Sequence, residues 1–157
     1  IPQAKCLASL CKEYNSLFVV NDRIDIALAV DADGIHLGQE DIPTKIAREL
    51  LGSEKIIGRS THCIEDIKNA EDEGCDYIGI GPIFPSQTKK QLNPIGIDYL
   101  SKGLSKTLLP AFAIGGINSS NINKLNHINN LRIAVSDAII NSNDPFLKTE
   151  ELLKFLT

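Results

Sequence analysis

The sequence contains no methionine, so Ile1 is no natural translational start and the chain reads as cut from something longer. It also lacks any C-x-x-C pair. Cys6, Cys11, Cys63 and Cys75 stand apart, with no histidine at zinc-ligand spacing, which excludes a zinc site of the finger or ribbon kind. They read as thiols of a reducing compartment. No apolar run approaches the roughly 18 residues of a membrane span, and no charged n-region precedes an apolar stretch at the start, so the cytoplasm is the expected location. With 16 basic and 20 acidic side chains and a formal net charge of −4, general attraction to nucleic acid or acidic membranes is absent; an anionic ligand needs a local site. Linkers and low-complexity tracts are missing as well, so residues 1–157 are expected to form a single domain.

What is present is a regular alternation. Short apolar, β-branched runs recur at Leu17 to Val20, Gly34 to Leu37, Lys55 to Gly58, Tyr77 to Ile80, Ala111 to Ile114 and Arg132 to Val135. They read as strands buried on both faces. Between them, Ile24 to Val30, Pro43 to Leu51 and Ile64 to Glu73 carry apolar residues at helical spacing. Pro43 suits a first helical turn, and Asp41 or Thr61 is positioned as a cap. Strand and helix in regular order imply a parallel sheet, either doubly wound or a part of a (β/α)8 barrel. Almost every strand is followed by small or polar residues: Asn21-Asp22-Arg23, Gly38-Gln39-Glu40-Asp41, Ser60-Thr61-His62, Gly81-Pro82, Gly115-Gly116 and Ser136-Asp137. A barrel brings all of these to one rim, whereas an open sheet joins only those at its switch point. The barrel is therefore favoured.

Several of these ends have residue types suited to chemistry. Asp22 and Asp41, on adjacent strand ends, are candidates for Mg²⁺, which takes one or two carboxylates plus phosphate oxygens and water; capping the following helices is the alternative. Ser86-Gln87-Thr88-Lys89-Lys90 offers hydroxyls and an ammonium to a phosphate, or is a solvated basic loop. Gly115-Gly116-Ile117-Asn118-Ser119 precedes an expected helix whose N-terminus would face an anion, with Ser136 as neighbouring donor, or is only a tight connection. His36, inside a strand, is expected to be a satisfied interior residue. His62 is better placed on the rim, and His127 lies in an Asn-rich exposed loop. None has the spacing of a nucleophilic triad.

Five strings in order, Phe18-Val-Val-Asn-Asp-Arg23, Asp33-Gly-Ile-His-Leu-Gly-Gln-Glu-Asp41, Gly58-Arg-Ser-Thr-His62, Asp76-Tyr-Ile-Gly-Ile-Gly-Pro-Ile-Phe-Pro85 with Thr88-Lys89, and Ala113-Ile-Gly-Gly-Ile117, resemble thiamine phosphate synthase. The resemblance runs from about Leu17 to Ile140. It implies a (β/α)8 TIM barrel and a transferase that joins hydroxymethylpyrimidine pyrophosphate to thiazole phosphate, forming a C–N bond and releasing pyrophosphate with Mg²⁺. Carried onto matching positions, Asp22 and Asp41 would hold Mg²⁺, and Asn21 and Lys89 would contact the leaving pyrophosphate. Ser60 would face the pyrimidine; Ser86, Thr88, Gly116, Val135 and Ser136 would line the thiazole phosphate site. Lys89 and Ser60 are the candidate catalytic residues. The implied partners are small molecules, with no nucleic acid or membrane, and homo-oligomerisation is left open.

Three departures from the family pattern stand out. The family's two opening strands have no counterpart, since residues 1–15 read only as the helix before the third barrel strand. The expected architecture is thus an incomplete barrel of about six strands, with exposed edges and little or no activity in isolation. Ser86 stands where threonine is more usual, and Asp137 follows Ser136 where a small residue is usual. A related thiazole tautomerase, using His62, and a noncatalytic thiamine-phosphate-binding module are the competing readings.

Overall fold

A computed structural model describes residues 1–86 and 92–155. Its strands are β1 (Val19–Asn21), β2 (Gly34–Leu37), β3 (Ile56–Thr61), β4 (Tyr77–Ile80), β5 (Ala111–Ile114) and β6 (Arg132–Ala134). They are preceded, linked and followed by helices α1 (Pro2–Glu13), α2 (Ile24–Ala29), α3 (Thr44–Leu51), α4 (Ile64–Asp72), α5 (Gly96–Leu104), α6 (Asp137–Ile140) and α7 (Pro145–Leu153). All strand pairs are parallel, and their spatial order is β1-β2-β3-β4-β5-β6. A doubly wound sheet reverses its order at a switch point. Here the order never reverses, and the six strands curl into an incomplete barrel.

The two-residue period of the strands separates structure from site. Ile35, Leu37, Ile57, Ile78 and Ile80 are fully buried and alternate with inner-face residues. Burying each such side chain contributes about 1.5–3 kcal/mol. On the inner face the register aligns Asn21, His36, Gly58 and Tyr77 in a layer, and Ser60, Gly79, Phe112 and Arg132 in the next. Asn21, His36, Ser60 and Gly79 thus bring small or polar groups to the inner face near the C-terminal ends of β1 to β4.

Several local expectations are corrected. Neither Asp41 nor Thr61 caps a helix. Pro43 is the N-cap of α3, outside its first turn and without a side-chain cap bond. Cys63 caps α4 in a reciprocal box with Asp66, while Thr61 is buried and donates to the Gly79 carbonyl at 3.0 Å. The helix expected after Gly115-Gly116 is only a 3₁₀ turn, Ile122–Leu125. So short a turn has little of the dipole that a helix N-terminus would offer an anion.

Candidate active site at the C-terminal rim

A cavity of ≈ 420 Å³ opens at the ends of β3 to β6. Ser60, Ser86, Gly116, Val135 and Ser136 all line it, as does His62. The five candidate substrate-contact residues among them thus converge from four strand ends. Thr88 and Lys89 lie outside the described residues. A larger groove of ≈ 490 Å³ lies elsewhere, beside the starts of β5 and β6, and includes His127 and Arg132. It contains none of the rim residues.

The Gly115-Gly116 side of the cavity is shaped by close backbone approach. Gly115 and Gly116 have φ of 97° and 67°, and a Cβ on Gly116 would stand 2.3 Å from the Pro85 carbonyl oxygen. Only glycine allows that conformation and that contact together. Asn118 and Asn121 both donate side-chain N–H groups to the Gly116 carbonyl, at 3.1 and 2.8 Å, and brace the turn. Asp137 lines the same cavity, but its Oδ1 accepts from Asn141 Nδ2 at 2.6 Å, so its carboxylate is engaged along its own helix. Ser136 precedes α6 as its N-cap without a side-chain cap bond.

Ser60 sits at the junction of several hydrogen bonds. Its Oγ lies 2.9 Å from His36 Nε2, and His36 Nδ1 lies 3.0 Å from the Tyr77 hydroxyl. Gln39 Nε2 donates to the Ser60 carbonyl at 2.5 Å. The Tyr77 ring lies over Gly58, where a Cβ would come within 2.0 Å of it. Burial pushes the Tyr77 phenol up to about 12. His36 is therefore the satisfied interior residue expected, yet one of its partners, Ser60, is a candidate site residue. His62 is on the rim, with Nδ1 against the Gly81 carbonyl. His127 is exposed.

Asn21, Asp22 and Asp41 stand at the neighbouring ends of β1 and β2. The cap alternative for both aspartates is not realised, because Arg23 and Pro43 occupy the N-cap positions of α2 and α3 without side-chain cap bonds. Asp22 takes a left-handed conformation, φ 63°, and its N–H donates to the His36 carbonyl at 2.8 Å. Aspartate tolerates that region better than most side chains. Asp41 Oδ2 accepts from Gly38 N–H at 2.6 Å, closing the loop after β2. No group of three or more His, Cys, Asp or Glu able to hold a metal occurs among the described residues.

Some structural partners were not anticipated. Asp33 Oδ2 accepts from Phe18 N–H at 2.7 Å, and Asp76 Oδ2 from Ile57 N–H at 2.7 Å. Each aspartate immediately precedes a strand and ties it to its neighbour at the end away from the rim. The recurrence of Asp-Gly-Ile in Asp33 to Ile35 and Asp-Tyr-Ile in Asp76 to Ile78 was the available signal. Arg59, within the Gly58 to His62 string, points outward instead, with NH1 3.3 Å from Thr44 Oγ1 and 3.9 Å from Glu73.

Six sequential parallel strands with polar residues gathered at their C-terminal ends define a βα-barrel protein of the class that builds its site on that rim. A profile of the thiamine monophosphate synthase family matches residues 1–139. The chain is 57% identical over 153 residues to a thiamine-phosphate synthase of Prochlorococcus marinus, covering 98% of this chain and 44% of that protein. Its identity to the thiamine-phosphate synthase of a Synechococcus species is 46% over 157 residues, again 44% of the relative's length. A solved Pyrococcus furiosus thiamine phosphate pyrophosphorylase superimposes with a TM-score of 0.90 at 40% identity, covering 99% of this chain and 74% of that one. The chain belongs to the thiamine monophosphate synthase family. It spans less than half the length of these curated relatives.

Proposed function

We propose that the chain supplies the metal, leaving-group and thiazole-phosphate portions of a thiamine phosphate synthase site. The observation that carries this reading is the convergence of Ser60, Ser86, Gly116, Val135 and Ser136 on the same cavity. Asp22 and Asp41 fit Mg²⁺ because that ion uses one or two carboxylates and completes its shell with phosphate oxygens and water, without a protein cage. When bound there, the metal would supply charge neutralisation for a departing pyrophosphate.

The chain's own residues perform the rest. Gly116, Val135 and Ser136 would orient thiazole phosphate with Ser86 and Thr88. Ser60 would face the pyrimidine, and Asn21 and Lys89 would hold the leaving pyrophosphate. Ionising a pyrimidine-methyl pyrophosphate calls for stabilisation of the leaving group more than for a general base, and a thiazole nitrogen already held in line then attacks the cation-like carbon. The pyrimidine-side grip is the part for which the described residues provide least.

The test is thiamine phosphate formation from the two substrates with Mg²⁺. The chain alone is compared with the same chain preceded by the family's first two barrel strands. Product only from the extended chain supports the reading. No product from either, with both folded and binding thiazole phosphate, overturns it. Thiazole isomerisation without Mg²⁺, lost in His62→Ala, would instead favour the tautomerase reading, which the position of His62 on the cavity wall keeps testable.

A further inference from the structure

The inner-face hydrogen bonds run from Tyr77 through His36 to Ser60. We propose that His36 is a positioning residue, held by Tyr77 in its Nε2–H tautomer, so that Ser60 accepts from His36 and turns its own hydroxyl hydrogen into the cavity. This rests on the reading of Ser60 as a ligand contact; the tautomer itself does not.

The argument is a matter of counting donors. A neutral imidazole carries a donor on one nitrogen and an acceptor on the other. The Tyr77 hydroxyl, 3.0 Å from Nδ1, has no other hydrogen-bond partner among the described residues. Its proton is retained because burial pushes the phenol up to about 12. A buried hydroxyl without an acceptor is costly, so Tyr77 donates to Nδ1. The remaining nitrogen, Nε2, then carries the hydrogen and donates to Ser60 Oγ at 2.9 Å. With that lone pair occupied, the Ser60 hydrogen is directed to whatever lines up in the cavity. A ligand atom seated there is selected as an acceptor, such as an aromatic ring nitrogen.

The surroundings hold the relay in place. Gly58 leaves the space that the Tyr77 ring fills, and a Cβ there would overlap Cζ at 2.0 Å. Phe112 closes the other side of Tyr77, edge on, with ring centroids 5.6 Å apart. A Cβ on Gly79 would stand 3.5 Å from His36 Cε1, in ordinary contact, so Gly79 lies beside the imidazole without crowding it. Gln39 fixes the Ser60 main chain from above by bonding its carbonyl. None of Gly58, Gln39 and Tyr77 was a candidate from motif chemistry, yet all bear on the orientation of one hydroxyl.

The test is nitrogen NMR of the histidine-labelled chain, with the His36 ring signals assigned by their loss in His36→Gln. The expected result is a protonated Nε2 and an unprotonated Nδ1 in the unmodified chain. Tyr77→Phe removes the donor to Nδ1 and shifts the ring toward the Nδ1–H form, and Ser60→Ala leaves Nδ1 unprotonated. Finding Nδ1 protonated in the unmodified chain would overturn the proposal, as would ring signals indifferent to Tyr77→Phe. Because the unmodified chain gives the first answer, the result stands whether or not a variant folds. It is equally independent of whether the chain makes thiamine phosphate.

Discussion

The two sides of the sheet feed the same rim but are built differently. Around β4 and β5, buried side chains from α4, α5, the 3₁₀ turn and α7 join in a continuous core that includes Ile67, Ile78, Ile80, Leu100, Leu125 and Leu152. Around β1 and β2 the apolar packing breaks into separate small clusters, Ile35-Leu37-Ala47-Ile57 and Val20-Ala27-Ala32. Helix α1 has no fully buried residue. The cavity that gathers the phosphate candidates belongs to the first side, and the carboxylates that would hold Mg²⁺ belong to the second. Where hydrophobic packing is thin, short polar clasps take over: Asp41 on Gly38, Asp22 N–H on His36 and Asp33 on Phe18. The lesson is that the cavity rests on a continuous core, whereas the edge bearing the two carboxylates is set loop by loop.

The largest effect should come from the metal side and leave stability nearly untouched. Asp22→Asn with Asp41→Asn is expected to lower Mg²⁺-dependent turnover of the barrel-completed chain by ~10²-fold or more, with circular dichroism unchanged. Full turnover in that variant would remove the carboxylates from the account. On the packed side the order reverses. Ile80→Ala should cost about 2–5 kcal/mol, enough to threaten folding, because it opens a cavity in the continuous core; chemical denaturation reads this directly.

A smaller loss is expected at the polar ties away from the rim. Asp76→Asn weakens the acceptor of the Ile57 N–H and the partner of Arg48, 2.6 Å away, and should cost about 1 kcal/mol, since solvent screens the half-exposed ion pair. The effect confined to the narrowest conditions is a pH dependence at Tyr77, felt only in strongly alkaline solution. Tyr77 is raised from 10.0 to about 12 by burial, so the folded chain keeps this phenol neutral where the unfolded chain ionises it. That contribution is complete below pH 10 and is lost as pH rises through about 12. Absorbance titration should show a tyrosine component that lags and disappears in Tyr77→Phe.

The sequence displayed the fold better than the connections within the site. Five of the six apolar runs begin within a residue of the observed strands, and β1 starts later than its run because Leu17 and Phe18 precede the ladder. Period and composition are local properties, so they survive in a string of letters. Helix starts did not survive as well: Asp41 was closest to the usual capping pattern, but its carboxylate closes a loop three residues back. Cys63, a weak acceptor seldom expected at a cap, took that role for α4. The relay from Tyr77 to Ser60 was illegible for a different reason. Its members come from three strands, and only the parallel register brings them into reach. Asp22 and Asp41 were legible as candidates because carboxylates at adjacent strand ends are informative before any coordinates are known.

The division between a phosphate pocket and a metal edge can be tested on the chain itself by following its backbone amides in NMR while ligands are added separately. Thiazole phosphate is expected to shift Ser86, Gly116 and Ser136 and to leave Asn21, Asp22 and Asp41 unmoved. Mg²⁺ with pyrophosphate is expected to do the opposite. Both ligands perturbing the same residues, or thiazole phosphate mapping to the groove beside His127 and Arg132, would contradict the account.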